Sequence, residues 1–178
     1  RRIETLFEML SLVSQKKPDD VLVLVGDTED DVHRQWLKDQ ADKSGVSNAV
    51  IWTGWLPMKE GWRYIKSSEV GLSPFPRGFL LDSASPTKVQ EYLALGLPVV
   101  CNDNPDQEMI IRESGGGICV PYTARDFAAA VIDLLQMSSA LRSSMTERGY
   151  AYICRNRDYA TLSEYVAAQY QKLETTFG

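Results

Sequence analysis

The stretch Ser85-Pro86-Thr87-Lys88-Val89-Gln90-Glu91-Tyr92-Leu93-Ala94-Leu95-Gly96-Leu97-Pro98-Val99-Val100 reads as a short helix running straight into a buried strand. Ser85 has the hydroxyl that favours an N-cap. Pro86 suits the first helical position, where its missing N–H would have had no partner anyway. Val89, Tyr92 and Leu93 share one face at helical spacing, and Gly96 is the residue type that ends a helix. Val99 to Cys101 is then a short aliphatic run, as in a strand covered on both faces.

The same alternation extends outward in both directions. Upstream, Ile3, Leu6, Phe7, Leu10 and Val13 recur at helical spacing, and Val21 to Val25 is an aliphatic run closed by Gly26. Asp27-Thr28-Glu29 is placed to cap a helix that turns Val32, Trp36, Leu37 and Ala41 inward. Ala49 to Thr53, closed by Gly54, is the next strand; a helix with Trp62 and Ile65 and a strand from Val70 to Ser73 follow. Pro74 to Pro86 holds three prolines and predicts a long ordered loop. Downstream come a helix from Gln107 to Glu113, a strand from Ile118 to Val120, and helices from about residue 138, the last spanning Tyr159 to Leu173. Strands alternating with helices predict one α/β domain over residues 1–178, a doubly wound, mostly parallel Rossmann-like sheet. The first residues read as mid-helix, which predicts a further strand upstream of them. In such folds ligands sit beyond the carboxyl ends of the strands, so chemistry is sought in the loops there.

Composition removes several classes of function. A net charge of -5 gives no electrostatic case for nucleic acid, and no polybasic arm is present. No apolar run approaches the ~20 residues of a membrane span. Cys101, Cys119 and Cys154 form neither a metal-binding spacing nor an even disulfide set, which predicts reduced, packed thiols in a cytoplasmic protein. His33 is the one histidine and has polar neighbours, which leaves no Ser-His-Asp or Cys-His centre. Asp103, Asp106 and Glu108 are spaced for helix capping rather than for a metal. Trp36, Trp52 and Trp62 are expected in the core, and Trp55, in a loop, is expected beside a ligand.

The helix after Pro86 carries the chemistry. Its first amides, on Thr87 and Lys88, have no acceptor within the helix, and the positive end of the helix dipole favours an anion there. Lys88 adds a full charge. Glu91 lies one turn beyond Thr87 on the same face, placed to accept hydrogen bonds from a ribose diol. On pattern alone, a capped helix with a solvated Lys and Glu is the alternative.

The run Pro86-Thr87-Lys88, then Glu91-Tyr92-Leu93-Ala94, Gly96 and Pro98-Val99-Val100, resembles the donor-site signature of glycosyltransferase family 4 of the GT-B type. Val21 to Gly26, Val50 to Leu56, Glu69 to Pro74 and Gly116 to Val120 resemble its other segments in order and spacing. The resemblance implies the C-terminal, donor-binding domain of a retaining glycosyltransferase. It would transfer a sugar from a UDP-sugar or GDP-sugar to an acceptor hydroxyl, with no metal or other cofactor. It assigns Glu91 to the ribose and the Thr87 and Lys88 amides to the diphosphate, with Lys88 stabilising the leaving group. Backbone near Gly54, Trp55 and Leu56 would face the base, and Ser83 to Ser85 would border the sugar. Where many members carry a glutamate eight residues before the ribose glutamate, this chain has Ser83, with Asp82 adjacent. The Arg and Lys that neutralise the diphosphate in the family belong to a loop before the first helix; Arg1 and Arg2 lie past it and take no such role. Arg77 is a candidate phosphate contact from the long loop. The resemblance further implies an N-terminal acceptor domain, missing here, as partner, and leaves open peripheral membrane contact through that domain at the inner face. Two other classes stay open on the residues: an epimerase or hydrolase of the same fold, and a non-catalytic interaction module.

Overall fold

The computed structural model describes the backbone of residues 2–177 and the side chains of 2–173; Arg1 and Gly178 lie outside the described residues. Its helices are α1 (Glu4–Ser14), α2 (Asp31–Lys43), α3 (Met58–Ser67), α4 (Thr87–Ala94), α5 (Pro105–Ser114), α6 (Ala124–Gln136), α7 (Ser139–Asn156) and α8 (Tyr159–Phe177). Its strands are β1 (Leu22–Leu24), β2 (Val50–Trp52), β3 (Gly71–Ser73), β4 (Val99–Asn102) and β5 (Gly117–Val120). Every strand pair is parallel, with Leu22 opposite Val50, Gly71 opposite Val99, and Val99 opposite Gly117. The ladders form two groups, β1-β2 and β3-β4-β5, instead of one continuous sheet among the described residues.

Strand β4 shows why helices cover both faces. Side chains alternate along a strand, and those of β4 enter different cores. Val100 joins the cluster of Leu6, Phe7 and Leu10 from α1, Leu37 and Ala41 from α2, and Phe127, Val131 and Leu134 from α6. Val99 and Cys101 join Val89 and Leu93 from α4, Ile110 and Ile111 from α5, and Tyr152 and Ile153 from α7. The first cluster also holds Leu22 of β1 and Val50 of β2, so α1 and α6 bridge the two strand groups. This is the doubly wound α/β arrangement that the alternation of runs predicts.

Several expectations are corrected. The cap of α2 is Asp30, whose carboxylate accepts from the amides of Val32 and His33; Asp27 instead binds the Thr28 amide and Arg34. Val32 is 79% exposed, and Trp36 and Trp62 are also exposed, whereas Trp52 packs against Phe7 at 5.8 Å between ring centroids. Helical spacing shows which residues share a face, but α2 and α3 turn only Leu37, Ala41 and Gly61 into fully buried positions. Helix α8 likewise carries Tyr159, Tyr165, Val166, Tyr170 and Leu173 exposed. No described helix is long and apolar enough to cross a membrane.

The cysteines also divide. Cys101 is buried, Cys119 half-buried and Cys154 exposed, so the last is not a packing residue. Cys101 and Cys119 are register partners on β4 and β5, which sets the two thiols beside each other. The neighbouring Cys119 thiol, with burial, pushes the Cys101 thiol well above its ordinary range. Under native conditions an alkylating reagent should therefore take Cys154 first, Cys119 slowly, and Cys101 only on unfolding, as read by peptide mass spectrometry. Rapid labelling of Cys101 would contradict this packing.

Candidate functional site

The candidate groups lie in the loops and helix ends beyond the carboxyl termini of the strands. After β1 and β2, Gly26 and Gly54 turn at φ 120° and 68°, a region that favours glycine. The Gly26 amide donates to the Gly54 carbonyl at 3.2 Å, and Thr53 Oγ1 donates to the same carbonyl at 2.9 Å. The Gly54 carbonyl is thus engaged within the fold, while Trp55 stands 68% exposed and Leu56 half-buried beside it.

After β3 the long loop is fastened at several points. Asn102, at the end of β4, accepts from the Phe75 amide at 2.7 Å and donates to the Phe75 carbonyl at 2.8 Å. Ser73 donates to Gln107 Oε1 at 2.5 Å, and Gln107 donates to the Asn102 carbonyl at 3.3 Å. Asn104 donates to the Leu81 carbonyl at 3.0 Å. These asparagines and the glutamine are fully buried, and sequence reading did not single them out. Their signal was present: Asn102-Asp103-Asn104 is a polar run directly after an aliphatic strand. Arg77 is not a free phosphate contact. It donates to both oxygens of Asp82, at 2.8 and 3.0 Å, and to the Asp103 carbonyl at 2.7 Å. The Arg77 hydrogen bonds hold the Asp82 carboxyl below its ordinary range. Asp82 is consequently occupied, and does not stand in for a carboxylate at Ser83, whose hydroxyl donates to the Leu80 carbonyl at 2.8 Å.

The loop delivers the chain to α4. The N-cap position is Pro86, with no side-chain capping bond, so Pro86 is not the first helical residue and the helix begins at Thr87. Ser85 does not cap. Its hydroxyl donates to Asp106 Oδ2 at 2.8 Å and accepts from Gln90 at 3.2 Å. With no capping side chain, the Thr87 and Lys88 amides meet no acceptor among the described residues. Both residues are exposed. Thr87 Oγ1 donates to Glu91 Oε1 at 3.1 Å, which fixes the Glu91 carboxylate on the exposed face of the same end of the helix. Val89 and Leu93 bury the opposite face completely. Thr87, Lys88 and Glu91 thus come together, while Gly54, Trp55 and Leu56 lie after a strand of the other group. Glu108, at the amino end of α5, is exposed. A shallow cleft of about 510 Å³ lies at the far end of α4, lined by Lys66, Glu69, Pro98 and Arg142. Its Arg142 is already bonded to Glu69 and the Leu134 carbonyl.

An anion can thus be held by two free amides and a lysine, with a carboxylate acceptor one turn away. No group of three or more metal-ligating side chains occurs among the described residues.

The comparisons with known proteins agree on the fold. WaaG, a glycosyltransferase involved in lipopolysaccharide biosynthesis, superposes with TM-score 0.68 at 16% identity, covering 93% of this chain and 44% of its own. TarM of S. aureus, solved in complex with UDP among other ligands, gives TM-score 0.75 at 14% identity, covering 94% and 32%. The C-terminal domain of LpcC, a group 1 family glycosyl transferase from Francisella tularensis, gives 0.69 at 18% identity, covering 88% and 79%. The chain spans less than half of WaaG and TarM. No curated protein sequence matches it. The family described as glycosyl transferases group 1 matches residues 1–152, and the chain belongs to that family.

Proposed function

We propose that this chain is the donor-binding domain of a retaining glycosyltransferase and holds the nucleoside diphosphate of a UDP-sugar or GDP-sugar. The observation that carries the reading is the amino end of α4, where the uncapped Thr87 and Lys88 amides, the Lys88 ammonium and the Glu91 carboxylate share one exposed surface. In this scheme the amides and Lys88 bind the diphosphate, and Glu91 exchanges its bond from Thr87 for the ribose hydroxyls. The turn at Gly54, Trp55 and Leu56 takes the base, and Ser83 and Ser85 border the sugar. The presence of UDP in TarM supports a uridine nucleotide as the first ligand to try.

The transfer breaks the bond between the anomeric carbon and the diphosphate oxygen and forms one from that carbon to the acceptor oxygen, whose proton leaves. Negative charge grows on the departing diphosphate, so amides and a lysine fixed in advance lower the barrier electrostatically. The acceptor site falls to another domain of the protein, expected from the sequence resemblance on the amino-terminal side. In this reading the protein is cytoplasmic, with any membrane contact made through that other domain.

Calorimetric titration of the chain with UDP and GDP tests this directly. One of the two should bind, and Glu91→Ala should weaken that binding by at least about tenfold, the loss of a pair of charge-assisted hydrogen bonds. A folded chain that binds neither nucleotide, or a silent Glu91→Ala, defeats the reading and favours an interaction module.

A further inference from the structure

Side chains from three distant parts of the sequence meet beside the amino end of α4. Ser85 donates to one oxygen of Asp106, and Arg157 Nη2 donates to the other at 2.9 Å. Asp106 lies in the first turn of α5, and Arg157 is the C-cap of α7. The following residue, Asp158, accepts from the Ala160 amide at the start of α8. The Asp106 and Arg157 side chains are only 17% and 19% exposed, so solvent screens their pairing less than that of a surface pair. Burial is the largest single influence and disfavours the Arg157 charge, but the bond to Asp106, its negative charge and the Tyr152 hydroxyl together outweigh it and hold the guanidinium above its ordinary range.

The sign of these charges matters for an anion. The Asp106 carboxylate is bonded to the residue two before Thr87, and unpaired it would repel a diphosphate at the Thr87 and Lys88 amides. Resting on the donor-site reading above, we propose that Arg157 is a charge-compensating and positioning residue. It cancels Asp106 so that the amino end of α4 accepts a diphosphate, and it ties that end to the elbow between α7 and α8. In this role Arg157 acts through Asp106 and Ser85. It also lies outside the residues 1–152 matched by the family, so the family match does not assign it.

The test is titration of the chain and its variants with UDP and with uridine, which lacks phosphate, each variant being checked for the native spectrum and melting point. Arg157→Gln leaves the carboxylate uncompensated and should lower UDP affinity about tenfold, whereas uridine affinity stays within about twofold. Adding Asp106→Asn to it should recover UDP affinity to within about threefold of the parent. Asp106→Asn alone retains the cation and should bind UDP as tightly as the parent or more tightly. A merely structural brace makes the opposite forecasts: the double variant no better than Arg157→Gln, Asp106→Asn weaker, and uridine lost in parallel with UDP. Any of those three overturns the proposal, as does UDP binding unchanged in Arg157→Gln. Should Arg157→Gln fail to fold, Asp106→Asn alone still decides by its sign. Where GDP is the nucleotide that binds, GDP and guanosine take the place of UDP and uridine; a parent chain that binds neither UDP nor GDP overturns the donor-site reading and this proposal together, whereas nucleotide binding indifferent to Arg157 overturns only the latter.

Discussion

Replacing Gly117 with alanine is expected to remove a large share of the chain's folding stability and to lower its unfolding midpoint sharply. Gly117 opens β5 and is the register partner of Val99 in β4. A Cβ at this position would lie 2.1 Å from the Val99 carbonyl oxygen and 2.9 Å from its carbon. Both are backbone atoms of the neighbouring strand, which has no rotamer to change. Relief therefore requires β4 itself to move. That strand sends Val100 into one core and Val99 and Cys101 into the other, so its displacement loosens both at once. A cost of about 4 kcal/mol or more falls in the exceptional class for one substitution, against a total stability of roughly 5–15 kcal/mol. Gly78, where an added Cβ meets nothing within 4 Å, supplies the control, and Gly78→Ala should be close to neutral. Urea titration followed by circular dichroism compares the two. Equal midpoints would mean that β5 does not pair with β4 in this register.

The second large effect belongs to Phe127→Ala. Phe127 is fully buried in α6, within the cluster that also holds residues of α1, β1, β2 and β4, and Tyr122 meets its ring edge-on at 6.1 Å. Truncation to alanine removes the ring and leaves a cavity, a loss of about 3–5 kcal/mol in comparable sites. Thermal and urea midpoints should both fall accordingly, and Phe127→Leu should recover much of the loss because it refills most of the volume. The cluster is separate from the one under α4, so the fraction of Phe127→Ala that remains folded should bind nucleotide with the parent's affinity. A variant whose midpoint does not move would show that α6 is not packed as described.

Both results bear on what the sequence made legible. Continuous aliphatic runs such as Val99 to Cys101 read directly as strands, because a strand buried on both faces tolerates no polar alternation. Helix α4 was legible for the same reason, its Val89 and Leu93 spacing matching the face that is buried. The cap of that helix was not. Ser85 has the right side chain for an N-cap, yet Asp106, which is 21 positions away in the sequence, competes for its hydroxyl and wins. Arg77 and Asp82 went the same way: each looked available to a ligand until the fold brought them together. Trp36 and Trp62 were misplaced because periodicity reports a shared face and says nothing of whether another element covers it. The common cause of these misses is which elements and side chains the fold sets beside one another. Those juxtapositions depend on three-dimensional neighbours, whereas capping and burial preferences are local averages.

The bonds from Asn102 and Asn104 to the loop of residues 74–86 have a consequence for recognition. Asn102 ends β4, which pairs with strands on both sides, so the loop hangs from the most enclosed strand of its group. Its backbone freedom is surrendered when the chain folds and not when a ligand arrives. Encounter then carries little ordering entropy on this side of the site, and weak individual contacts are enough to register a substrate there.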